Sequence, residues 1–219
     1  MVRKALERSN IHYYHLLGRS NDPEFFDLPQ SEVWNIFTRE LGCLQQLFQL
    51  KIAAFVLLNN HFHLIALTPK ESVDRVMYFL MKNVATTIKK RSGRINKVFG
   101  GRYKGSIIKS DLYLLNIYKY IHLEPVNAKL ATMAELYRFS TLFYRGDKKH
   151  HLPFCSSSLP PMKMIENLEG LNELDWINMA FSEEESNSIK VGLKKSTFAF
   201  GKSRNTGKPL IPMMKKIEK

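Results

Sequence analysis

Two histidines one residue apart, His61-Phe62-His63, are the first feature of this 219-residue sequence whose types and spacing suit chemistry. Side chains alternate along a β-strand, so both imidazoles leave one face while Phe62 leaves the other. Two imidazoles one strand-repeat apart can grip a divalent cation, with Phe62 anchoring the strand in a core. The spacing is common, and five other histidines (His12, His15, His122, His150 and His151) show that a histidine alone means little here. A second set lies between Asp111 and Glu124. There Leu114, Ile117, Tyr118 and Ile121 form an apolar stripe at helical spacing, and Tyr120 lies on a different face. At i and i+4, the Tyr120 phenol and the Glu124 carboxylate are neighbours. A carboxylate sharing a cation with His61 and His63 would bring that phenol to it. Tyr118 has its own i+4 partner in His122, so spacing alone does not choose between the tyrosines, although the stripe suits Tyr118 to a core.

The elements that must position these residues follow from local pattern. Ile11–Leu17 is aromatic and aliphatic and ends at Gly18-Arg19-Ser20-Asn21, which reads as a strand. After Ser31, apolar residues from Val33 to Phe48 recur at three- and four-residue spacings, as a helix requires. Ile52–Leu58 and His61–Leu67 flank Asn59-Asn60 as a hairpin. Ser72 and Asp74 open a second helix that Ser92-Gly93 stops. Ile95–Ile108 reads as extended, with Gly100, Gly101 and Gly105 permitting a bend or bulge. Ser110-Asp111 caps a third helix, which Pro125 is expected to end. The order strand, helix, hairpin, helix, strand predicts an α+β fold. It is a ferredoxin-like (RRM-like) antiparallel sheet with helices on one face, plus an added helix carrying the tyrosine. That fold serves many functions and selects none.

Composition narrows the partner. With 44% hydrophobic and 24% charged residues the chain can build a core, yet it carries a net charge of +13 and a pI near 9.7. Such a balance points to a polyanion. From Lys82 to Lys104 there are eight cations (Lys82, Lys89, Lys90, Arg91, Arg94, Lys97, Arg102 and Lys104) and no acid, with Phe99 and Tyr103 among them. Aromatics between cations suit unpaired bases, so nucleic acid fits better than a membrane surface. No apolar run approaches the roughly 18–20 residues that span a bilayer, and Met1-Val2-Arg3-Lys4 opens no apolar signal segment. Cys43 and Cys155 have no motif spacing, and a cytoplasmic, nucleoid-associated location is expected. The boundaries expected are a catalytic domain over 1–144, a linker and small helical appendage over 145–189, and a basic, flexible tail over 190–219.

The run LLNNHFHLIA, followed by GGRYKGSIIKSDLYLLNIYKYIHLEPVNAKL, resembles the IS200-related single-tyrosine (HUH) transposases. It is most similar to the REP-associated tyrosine transposases, over about Ile11 to Phe143. Their pattern is an N-H-hydrophobic-H strand, an R-Y-K segment, then a helix ending Y-I-hydrophobic-x-N-P-V. The resemblance implies that His61 and His63 are metal ligands and that Tyr120 is the nucleophile. It also makes the position four residues on, usually Asn or Gln, a further ligand. Here that position is Glu124, a departure that adds charge while keeping an oxygen donor suited to hard cations. Asn60 matches the family, and Asn127-Ala128-Lys129 stands where Arg-Ala-Gly is common.

The activity so implied is nicking and joining of single-stranded or hairpin DNA. Tyr120 would attack a phosphate made electrophilic by Mg²⁺ or Mn²⁺, leaving a 5′-phosphotyrosine and a free 3′-hydroxyl. A nitrogen and oxygen donor set without cysteine suits those ions better than structural Zn²⁺. The cations from Lys82 to Lys104, with Tyr103, would hold the DNA; Lys104 and Lys109 are candidates to assist the phenol. Relatives include monomers and homodimers, and both remain open. Two other readings compete: a non-catalytic single-stranded nucleic-acid-binding protein, and a small-molecule or metal-binding ferredoxin-like domain, which +13 suits poorly.

Overall fold

A computed structural model describes residues 7–21, 25–146, 151–156, 172–203 and 206–212. Four strands, β1 (Tyr13–Arg19), β2 (Lys51–Leu57), β3 (His61–Leu67) and β4 (Lys104–Ile108), form one antiparallel sheet in the order β2-β3-β1-β4. Helix α1 (Gln30–Phe48) joins β1 to β2, and α2 (Val73–Ser92) joins β3 to β4. This is the expected ferredoxin-like order, with both helices on one face. Their apolar stripes meet the even positions of the sheet, Tyr14, Leu16, Phe62, Leu64 and Ala66, in one core. Phe62 is central to it, with ring centroids 4.9 Å from Phe37 and 6.1 Å from Phe55. Its partner across β1 is Gly18, where a Cβ would lie 2.4 Å from the Phe62 ring, so only a glycine leaves room for that anchor.

The hairpin turns at Leu58-Asn59-Asn60, closed by the Leu58 N–H donating to the His61 carbonyl at 2.8 Å. A β-bulge between Ile52 and Ala54 lets Ile52 and Phe55 share the helical core despite their odd spacing. Helix α2 begins at Ser72, whose hydroxyl accepts from the Arg75 N–H, and stops at Gly93 with φ +73°. The extended stretch expected from Ile95 is shorter than the sequence suggested. Only Lys104–Ile108 is strand, because residues 95–103 loop back past the end of β1, with Ser20 bridging Phe99.

Helix α3 (Asp111–Asn127) covers the opposite face of the sheet. Pro125 does not end it: the missing N–H falls in the last turn, and the helix runs to Asn127. It closes with the Leu130 N–H on the Pro125 carbonyl and Lys129 at φ +58°. Beyond lie α4 (Thr141–Gly146), α5 (Glu173–Asn178) and α6 (Glu183–Gly192). Trp176, Ile177, Ile189, Phe198 and Phe200 bury α3 on the side away from the sheet. Sandwiched so, α3 is buried almost continuously from Leu114 to Leu123, more than one apolar stripe would allow. Part of the expected tail is therefore structural. Ser196 and Phe198 hydrogen bond to both backbone groups of Ile107 on the edge of β4, because Phe198 and Phe200 need the apolar cover that Tyr113 gives. Residues 157–171, within the expected linker and appendage, lie outside the described residues.

Candidate metal and nucleophile site

His61 and His63 leave β3 on the face that α3 covers, opposite Phe62, as strand alternation requires. Each has its Nδ1 engaged. Asn60 Oδ1 lies 2.7 Å from His61 Nδ1; an amide oxygen only accepts, so Nδ1 carries the proton and Nε2 keeps its lone pair. His63 Nδ1 lies 2.8 Å from His15 Nε2, and His63 Nε2 is buried without a partner. Burial and neighbouring charge hold these rings neutral near pH 7. His15 falls to about 3 through burial and then His61. His61 falls to about 4 through burial and then Arg19, and His63 falls well below its ordinary value. A neutral imidazole with a free Nε2 lone pair, as His61 has and as His63 has when its Nδ1 donates to His15, is what a cation binds.

Helix α3 completes the set. One donor atom from each of His61, His63 and Glu124 lies within 4.8 Å of the other two. Two imidazole nitrogens and a carboxylate oxygen gathered this closely are a donor set that one divalent cation could take. The unpartnered His63 Nε2 is the atom such a cation would satisfy. The residues fit the group.

Tyr120 sits one turn before Glu124, 5% exposed, with its phenol close enough to that carboxylate for the negative charge to act on it. Burial first, and then the Glu124 charge, raise its phenol well above the ordinary tyrosine value. Tyr118 turns elsewhere. Its oxygen accepts from Arg145 Nη1 at 2.8 Å, beside Glu173, which is ion-paired to the same arginine. The two tyrosines that spacing could not separate thus occupy different surroundings, and only Tyr120 adjoins the histidines' partner.

Two neighbours of the site were not evident in the sequence. His15 lies diagonally across from His63, and Arg19 directly across from His61. Strand alternation puts both on the histidine face, but only the β1–β3 register reveals it. Of the two lysines proposed to assist, Lys104 shares a row with Leu17 and His63, roughly 10 Å from the latter at two strand spacings. Lys109 lies at the other end of β4, ion-paired to Glu7 at 2.6 Å, and does not join the site.

The basic run from Lys82 to Lys104 does not form one surface. Lys82, Lys89, Lys97, Arg102 and Tyr103 line a groove beside α2. Arg91 turns to Glu32, and Arg94, its side chain 9% exposed, turns to Asp27 at 2.5 Å. Lys90 is exposed outside the groove, and Lys104 faces the histidines' side.

No protein-family profile matches the chain, and no curated protein matches it in sequence. Among solved structures it is similar to a REP-associated tyrosine transposase bound to a REP hairpin. The identity is 13% and the TM-score 0.57, over 73% of this chain and 93% of that one. At that identity the likeness shows a shared fold. A candidate transposase from Deinococcus radiodurans R1 also matches, at 12% identity over 59% and 91% of the two chains. Its TM-score of 0.37 carries no weight.

Proposed function

We propose that this chain is a single-tyrosine transposase of the REP-associated kind, which nicks and rejoins single-stranded or hairpin DNA through Tyr120. The observation that carries the reading is the convergence of His61, His63 and Glu124, with Tyr120 one helical turn before the last of them. His61 Nε2, His63 Nε2 and a Glu124 oxygen would hold Mg²⁺ or Mn²⁺. Bound there, the cation would polarise the scissile phosphate and offset the Glu124 charge that helps raise the Tyr120 phenol. Tyr120 Oη forms a bond to phosphorus as the bond to the 3′-oxygen breaks. The phenol's proton leaves toward the neighbouring Glu124 carboxylate, and the released 3′-oxygen takes up that proton, or one from solvent, to end as a hydroxyl. The phosphotyrosine keeps the energy of the diester, so a 3′-hydroxyl can reverse the step and join strands. Arg19 adds positive charge beside His61, where the phosphate would lie. Hairpin DNA is the substrate by analogy with the REP hairpin held by the similar structure.

One observation favours a non-catalytic binder instead: Tyr120 is nearly buried, and DNA must reach it. A denaturing gel separates the two. Labelled hairpin DNA with Mn²⁺ should yield a covalent protein–DNA band that persists in Tyr118→Phe. The band should vanish in Tyr120→Phe and in chelator. Tight binding without any band would establish the binder.

A further inference from the structure

Helix α2 and the loop that follows it wall a groove of about 740 Å³ on the helical side of the sheet, away from the histidines. Met77, Val98 and Phe99 give it an apolar floor. Tyr78 stands at its wall, 58% exposed, a large ring left in water. The Lys82 ammonium lies 5.5 Å from the centre of that ring. Lys82, Lys89 and Lys97 line the groove, and among the described residues none of them has an ion-pair partner. Arg91 and Arg94, from the same run, are paired elsewhere, so uncommitted charge gathers where the apolar surface is open. The lining follows α2 from Asp74 to Lys89, a span of roughly 22 Å at 1.5 Å per residue. A groove of that length takes a strand rather than a single nucleotide.

We propose that this groove holds unpaired DNA, with bases on Tyr78 and the apolar floor and phosphates against Lys82, Lys89 and Lys97. The inference rests on the proposed function only in taking DNA as the ligand. Duplex DNA stacks its bases on one another and offers this floor nothing, whereas an unpaired base has a free face. A flat lipid surface cannot enter a recess. Tyr103 turns into the groove, and the next residue, Lys104, turns to the face that bears His63. A strand leaving the groove over the start of β4 therefore arrives on the histidine face.

Fluorescence anisotropy in chelator tests this with labelled oligo-dT and an abasic oligomer of equal length. Wild-type protein should prefer dT by about tenfold, the effect of stacking one base. Tyr78→Ala, at an exposed position that the fold does not need, should bind both oligomers alike. A Lys82→Gln, Lys89→Gln double variant should weaken both equally and flatten the salt dependence by about 1.4 log units per log unit of salt. Retention of the base preference in Tyr78→Ala, or an unchanged salt slope in the double variant, would overturn the groove. Either outcome leaves the nicking reading intact, because that stands on the Tyr120 adduct alone.

Discussion

At the scale of single residues, the site is ordered by what sits behind its histidines. Asn60 sets the proton on His61, and His15 is placed to set it on His63, so each ring presents Nε2 outward. Groups behind a metal-binding histidine commonly tune affinity by about 10–100-fold. His15→Leu should therefore weaken Mn²⁺ binding by at least about tenfold in calorimetric titration. His15→Gln, whose amide oxygen can still accept from Nδ1, should lose less. Equal affinity in all three proteins would reduce His15 to a packing residue. The pair His61 and His63 was readable in the sequence because alternation is local, and so was the Tyr120–Glu124 neighbourhood on a helix. His15 was not, since a diagonal contact between strands depends on a register that no local pattern contains. The separation of Tyr118 from Tyr120 also waited on Arg145 and Glu173, remote in sequence.

At the scale of elements, all seven strands and helices from β1 to α3 were legible from periodicity and caps, although β4 is shorter than expected and α3 runs past Pro125. What the pattern did not carry has local causes. The bulge in β2 hides which residues share a face, and α3, buried on two sides, shows no clean stripe. The close of α3 carries its own test. Lys129 adopts φ +58° in a turn where the Leu130 N–H reaches back to Pro125, a position that favours glycine. Lys129→Gly should raise stability by about 1 kcal/mol, the usual cost of a left-handed side-chain residue, as read by denaturant midpoint. A lowered midpoint would mean that the Lys129 side chain contributes more than the strain costs.

At the scale of the whole molecule, both edges of the sheet are covered. The Leu57 N–H donates to the Phe139 carbonyl along β2, and Ser196 and Phe198 bond along β4. Strand-to-strand dimerisation is thereby blocked, and His61, His63, Glu124 and Tyr120 already meet within one chain. We expect a monomer in light scattering. Mixing His61→Ala with Tyr120→Phe should give no covalent DNA band; a restored band would show that α3 is exchanged between copies. Acid should also weaken the metal-free fold. Buried His15 and His122 titrate near 3 and His61 near 4, against about 6.5 in the unfolded chain. The unfolded state therefore takes up more protons below 6.5, and stability falls from there toward pH 4. The melting temperature should be roughly 5–10 °C lower at pH 5 than at pH 7.5, and an unchanged value would contradict the burial of these rings.

The cover on β4 has a consequence in time. Ile107 and its partners near Thr197 are ninety positions apart, roughly 5–20 s of synthesis at the usual rates. Throughout that interval the nascent sheet has a bare edge, the feature most open to pairing with another chain. On a crowded polysome such neighbours are copies of itself. The stretch around Thr197 thus shields that edge once it is made, and chains that stall before it should be the ones most prone to pair with one another.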